Sequence, residues 1–304
     1  MSEFRVEPAE RIRRLPPYLF GKLNAEKHAL RQRGVDVIDL GMGNPNDPTP
    51  APIVDKLCEA ARDTRNQRYS ASKGIHNLRR DVARRYAAHY GVTLDPEREV
   101  IACIGSKEGL SHLCLALLGP GDTVIVGDPA YPIHIFGPAL AGGNVISVRL
   151  GNDEAFLQRI AGVIEHLYPR PKLMILNYPH NPTALTVTPE FYAQVVALAR
   201  RSGVGVIHDF AYAELGFDGY QPPSFLAAPG AKDVGVEFIT MSKAYNMAGW
   251  RIGFCVGNAE MIGALATIKG YYDYGIFQPI QIASIIALRQ CDADIGRQAA
   301  RYQA

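Results

Sequence analysis

The sequence predicts an α/β fold, a mostly parallel sheet flanked by helices. Three observations lead there. From about residue 100 onward, short apolar runs rich in β-branched residues recur; longer segments of helical period separate them; and polar residues gather directly after the runs. In order, the runs place strands at 99–104, 123–126, 144–148, 173–176, 205–208, 236–240 and 253–256. Helical period is clearest at 75–90, 107–118, 152–167, 189–202 and 259–270, with Thr188-Pro189-Glu190 supplying an N-cap and a first-turn proline to the fourth. Residues 1–45, rich in Arg and Pro, break the alternation and are expected to form an arm and part of a smaller domain. Residues 46–304 are expected to form the large domain.

Composition removes several function classes. With 304 residues, 47% of them apolar, the chain is long enough to bury a sizeable core. No apolar stretch approaches a bilayer span, and the charged segment 1–14 lacks a signal-peptide core, so no membrane role and a cytoplasmic location are expected. The five cysteines, Cys58, Cys103, Cys114, Cys255 and Cys291, form no CxxC pair and read as buried thiols, with no metal site expected. A net charge of +2 does not call for nucleic acid. Arg79, Arg80, Arg84 and Arg85, at helical spacing beside Asp81, read as a solvated helix face.

The most informative run is Thr240 to Gly253. Lys243 closes an apolar strand, where desolvation disfavours an ammonium and leaves an amine able to attack an aldehyde. Arg251, eight residues on, offers a planar fork for phosphate. The pair suits pyridoxal 5′-phosphate, which carries both groups, although a surface lysine and arginine flanking a glycine turn would read the same way. In open α/β sheets ligands bind beyond the carboxyl ends of the strands. The residues found there are Gly105-Ser106-Lys107-Glu108-Gly109, Asp128-Pro129-Ala130-Tyr131, Asn177 to Thr183, Asp209-Phe210-Ala211-Tyr212 and Ser242-Lys243.

Together with Gly41-Met42-Gly43-Asn44-Pro45 and Tyr69-Ser70, these runs resemble, in sequence order, the fold-type I, class I/II aminotransferases. The wording is close to the branch of glutamate–pyruvate (alanine) and LL-diaminopimelate aminotransferases. The resemblance implies a fold-type I PLP-dependent transferase in which Lys243 bonds the cofactor aldehyde and shuttles the substrate proton. It places Asp209 against the pyridine nitrogen, Asn181 and Tyr212 at the phenolic oxygen, and Tyr131 on the ring face. Ser106 is expected at the phosphate together with Thr240, Ser242 and Arg251, while the charge of Lys107 turns to solvent. Tyr69 resembles the tyrosine that reaches a neighbouring subunit's phosphate, implying a homodimer with composite sites. Gly43, Tyr18 and Asn181 are expected on the substrate side. His208 is expected under the ring at most, and the other histidines are expected to be solvated or merely packed.

The implied reaction is ping-pong exchange between a small L-amino acid, alanine first, and a 2-oxo acid such as 2-oxoglutarate. The alternatives are an LL-diaminopimelate or aspartate-type transaminase, β-elimination or racemisation on the same cofactor, or a PLP-binding module with little activity. Tyr271-Tyr272-Asp273-Tyr274 lacks the arginine that aspartate-type relatives use for a second carboxylate. Relatives continue beyond Ala304 into most of a small domain with the arginine that grips the substrate α-carboxylate. The expectation is therefore an incomplete small domain and weak turnover. A nucleotide-binding reading of Gly41-Met42-Gly43 fails for want of a third glycine.

Overall fold

The computed structural model describes residues 4–304 apart from Met42, so the middle of the Gly41-Met42-Gly43 motif lies outside the described residues. The chain divides into Met1–Asn44 and Pro45–Ala304. The first unit holds helices α1 (Glu10–Arg13) and α2 (Leu19–Gln32), neither of which buries a residue. Lys27 pairs with Asp39 at 2.5 Å, and Asp39 also accepts from the Gly41 amide at 3.0 Å.

In the second unit, α3 (Ala51–Arg62) and α4 (His76–Tyr90) precede seven strands: β1 (Val100–Cys103), β2 (Thr123–Asp128), β3 (Asn144–Arg149), β4 (Leu173–Asn177), β5 (Gly205–Asp209), β6 (Gly235–Thr240) and β7 (Gly253–Gly257). Between them run α5 (Ser106–Leu117), α6 (Pro132–Leu140), α7 (Glu154–His166), α8 (Pro189–Ser202), α9 (Ala231–Val234) and α10 (Met241–Ala244). The helices α11 (Ala259–Tyr272), α12 (Gln278–Gln290) and α13 (Asp292–Gln303) follow. The strands form one sheet in the order β1-β7-β6-β5-β4-β2-β3. Pairs β2/β3, β2/β4, β4/β5 and β5/β6 are parallel, and β7 alone runs against both neighbours.

Strand alternation explains the layers. Ile101, Val124, Ile175, Ile207, Val236, Phe238 and Cys255 fill one core, and Val100, Ile125, Met174, Val206, Phe254 and Val256 fill another, so both sheet faces are covered. The strands outrun the apolar runs by a residue: Asn177 and Asp209 close β4 and β5 as a paired rung, because the ladder needs backbone groups rather than apolar side chains. α5 reaches the sheet through Gly109, where a Cβ would stand 2.5 Å from Cys103 Sγ and 2.8 Å from the Phe238 ring. That contact sets the start of α5 beside the strand ends. Its substitution by alanine would push the helix off the sheet.

Helix ends follow local chemistry. Gly91 and Gly203 close α4 and α8 at φ 67° and 69°, a conformation that costs a residue with a Cβ more. Asn258 caps α11 by accepting from the Glu260 and Met261 amides, and Asp153 caps α7 by accepting from Phe156. Thr188 occupies the N-cap of α8, but its side chain makes no cap bond.

Two surface expectations are corrected. Arg79 and Arg85 are buried: Arg79 donates to Gly74 O and Glu97, and Arg85 to Glu214 at 2.7 Å and Asp292 at 2.8 Å. Asp81 is buried as well, paired with Arg289. Charges distant in sequence pull these side chains inward, and local periodicity does not report them. Cys58 is exposed, unlike the other four cysteines.

Candidate active site

The strand directions bring the chemistry to one edge. β1, β2, β4, β5 and β6 end there, and because β7 is reversed it begins there, so Arg251 arrives from the opposite chain direction beside Ser106 and Thr240. Apart from Tyr69, each candidate of the second unit sits in a segment leaving or entering this edge.

Asp209 shares a sheet face with Ile207 and is nearly fully buried. His134 of α6, also buried, bonds Asp209 Oδ2 through Nε2 at 2.9 Å, whereas Asp209 Oδ1 is buried with no hydrogen-bond partner among the described residues. A buried carboxylate oxygen left unmatched is costly, and this one can accept a further donor. Tyr131 packs edge-on to His134, with ring centroids 5.6 Å apart. Asn177 donates to Asp209 O at 2.7 Å and accepts from the Asn181 amide at 2.9 Å, tying the Asn181 loop to the ends of β4 and β5. Tyr212 lies close enough to Asp209 for its phenol to be raised, first by burial and then by that carboxylate.

The second half of the edge is cationic. Thr240 Oγ1 caps α10 by accepting from Ser242 N at 3.2 Å and lies 2.9 Å from Ser242 Oγ. Lys243, partly buried in that turn, has its pKa pushed below the ordinary lysine value, mainly by burial and then by the Arg251 charge. Arg251 is held at φ 57°, unusual for a residue with a Cβ, and its Nη1 donates to Ala248 O at 2.8 Å. Its guanidinium lies over Gly105, where any side chain would overlap it. Gly253 is equally constrained, since a Cβ there would stand 2.8 Å from the Ser106 amide. Lys107 is exposed.

The chain belongs to the class I and II aminotransferases. That family matches residues 35–301. Glutamate-pyruvate aminotransferase AlaC of Escherichia coli K12 is 53% identical over 95% of this chain and 71% of its own length. LL-diaminopimelate aminotransferase of Moorella thermoacetica is 47% identical over 93% and 73%. Among solved structures, substrate-bound BacF of Bacillus subtilis superposes with TM-score 0.90 at 33% identity, covering 98% of this chain and 75% of that one. The enzyme is thus a PLP-dependent aminotransferase, and the residues present fit that cofactor. Asp209 Oδ1, unmatched among the described residues, could accept from a ring N–H, the Lys243 amine is deprotonated more readily than usual, and the side-chain-free start of α5 lies under a guanidinium.

The sequence missed one group here. His134, 75 residues from Asp209, carries no local mark of its role; its position after Tyr131 was the sole available hint. His208 is a correction. It points to the sheet face opposite Asp209, where Nδ1 bonds Glu237 Oε2 and Nε2 meets Tyr192 OH, both at 2.8 Å, because successive strand residues alternate faces. Tyr69 is 91% exposed, its ring edge-on to Tyr274 at 5.5 Å. Tyr18 and Gly43 belong to the Met1–Asn44 unit, where Tyr18 packs against Phe20 and a Cβ on Gly43 would meet no atom within 4 Å.

Proposed function

We propose that this aminotransferase moves an amino group between a small L-amino acid, alanine first, and a 2-oxo acid such as pyruvate or 2-oxoglutarate, in two half-reactions at one site. The buried Asp209 oxygen without a partner, at the same strand edge as the Lys243 amine, carries this reading. Pyridoxal 5′-phosphate supplies an aldehyde for the amino group and a ring that accepts electrons from the substrate Cα. Lys243 would hold that aldehyde and would remove and return the proton at the substrate Cα, a task helped by its lowered pKa. Asp209 would accept from the ring nitrogen and keep it protonated, with His134 holding the carboxylate in place. Asn181 and Tyr212 would donate to the phenolic oxygen, and Tyr131 would cover the ring.

The phosphate is assigned to the amides and hydroxyl at Ser106, with Thr240, Ser242 and the Arg251 fork closing the cup. Lys107, being exposed, adds long-range charge at most. Gly43, Tyr18 and Asn181 are assigned to the substrate side. Tyr69, exposed beside Tyr274, is assigned to the phosphate of a second copy in a homodimer. No described helix is long and apolar enough to cross a membrane, and a cytoplasmic location is proposed with that in support. LL-Diaminopimelate is the second donor considered, because relatives 41–47% identical carry that name. The test is an absorbance titration of the holoenzyme with L-alanine, L-glutamate, L-aspartate and LL-diaminopimelate. L-Alanine is expected to discharge the visible band most readily, and a band unmoved by all four would sink the reading.

A further inference from the structure

The start of α5 contains an electrostatic conflict. Its N-cap is Gly105, which has no side chain to cap the first turn, and a helix start of this kind suits an anion. The same turn carries Glu108, whose charge would oppose a phosphate. The carboxylate is drawn aside: Oε2 accepts from the Ile104 amide at 2.7 Å, and Oε1 faces Lys269 Nζ at 3.1 Å and His112 Nδ1. Lys269, on α11, is fully buried, and its ammonium also meets Asp273 Oδ2 at 2.8 Å. A lysine is almost never fully buried unless paired. Glu108, His112 and Asp273 converge as metal ligands could, but Lys269 already supplies a cation to the two acids.

We propose that Lys269 is a positioning residue for the phosphate end of the cofactor: its buried ammonium holds the Glu108 carboxylate to one side of the first turn of α5 and cancels its charge there. This rests on the phosphate placement proposed above. The protonation states agree with the geometry. Burial acts against the Lys269 charge, but Cys103, Glu108 and Asp273 raise its pKa above the ordinary value. Burial likewise acts against ionised Glu108, yet the close approach of His112 and the charge and hydrogen bond of Lys269 hold it at about 2. Both groups are charged at neutral pH.

The test compares two ligands on the full chain stripped of cofactor: pyridoxal 5′-phosphate and pyridoxal, which lacks the phosphate. Fluorescence titration gives Kd for each. Lys269→Met is expected to raise Kd for pyridoxal 5′-phosphate by about tenfold or more while leaving pyridoxal within about twofold. Adding Glu108→Gln, which removes the uncompensated charge, is expected to restore most of the loss. An equal loss for both ligands would show a merely structural role and overturn the proposal, as would an unchanged Kd for the phosphorylated form. Where Lys269→Met does not fold, the neutral double variant decides: Kd for pyridoxal 5′-phosphate within about threefold of wild type supports the proposal, and a larger loss overturns it. Arg251→Gln is the control. If it does not erode the preference for the phosphorylated ligand, the phosphate placement itself fails; if it does while Lys269→Met has no effect, only the role of Lys269 fails.

Discussion

Asp209 and Glu237 stand on neighbouring strands, are both buried, and each bonds a buried histidine, yet they are finished differently. Glu237 Oε1 accepts from Tyr86 OH at 2.6 Å and Ser224 Oγ at 2.8 Å, while Oε2 accepts from the Phe225 amide and His208 Nδ1, both at 2.8 Å. Its lone pairs are all taken by the protein. Asp209 accepts from His134 on one oxygen and presents the other, buried, without a partner among the described residues. A closed set of partners ties α4, β5, β6 and the 224–225 turn together and leaves nothing for a ligand. An open set keeps binding capacity in reserve at some cost in stability.

The largest effect expected of this contrast is on turnover. Asp209→Asn keeps the shape but presents an amide that does not hold a ring nitrogen protonated, so kcat/KM is expected to fall about a thousandfold. Thermal stability should hold or rise slightly, since a buried charge with one idle oxygen is removed. Steady-state kinetics and a melting curve on the same preparation check both halves. A variant that melts early but keeps its turnover would reverse the comparison.

Glu237→Gln should do the opposite. Its amide nitrogen would face donors that now point at a carboxylate, stranding at least one of them inside the protein. The expected cost is about 1–3 kcal/mol in urea unfolding, the range for leaving a buried donor unsatisfied. Turnover per folded molecule should stay within about twofold, because no reacting atom touches Glu237. A large kinetic defect with normal stability would mean that strain at His208 passes along β5 to Asp209, and the two carboxylates would then no longer separate into structural and functional roles.

Much of the edge was legible because its signals are local. Apolar runs mark strands, and Ser106, Asn181, Asp209 and Lys243 sit immediately after them, so the sheet rule alone gathers these residues. What was not legible is long-range. The Asp209–His134 bond spans 75 residues and Lys269–Glu108 spans 161, while Lys269 reads in sequence as one more charge in a helical segment. The same limit explains Arg85, whose helical spacing suggested solvent until Glu214 and Asp292 are seen to meet it. That His208 faces away from Asp209 follows only once Asp209 belongs to β5, and the expected strand 205–208 stops one residue short.

The smallest effect expected concerns protons near the open carboxylate. His180 has its pKa pushed down to about 4, chiefly by burial and then by the charge of neighbouring His134, partly offset by a bond to Pro129 O. Its Nδ1 lies 2.9 Å from Thr183 Oγ1, which a neutral ring accommodates as an acceptor. Between pH 6.5 and 4 the unfolded chain therefore takes up a proton at this position that the folded chain refuses. Stability is full above 6.5, falls as the pH drops through that window, and loses no more from this group below about 4. The melting temperature of wild type should slope downward across it, and His180→Gln should flatten part of the slope. An unchanged slope in that variant would shift the proton uptake to another group and leave His180 with a packing role.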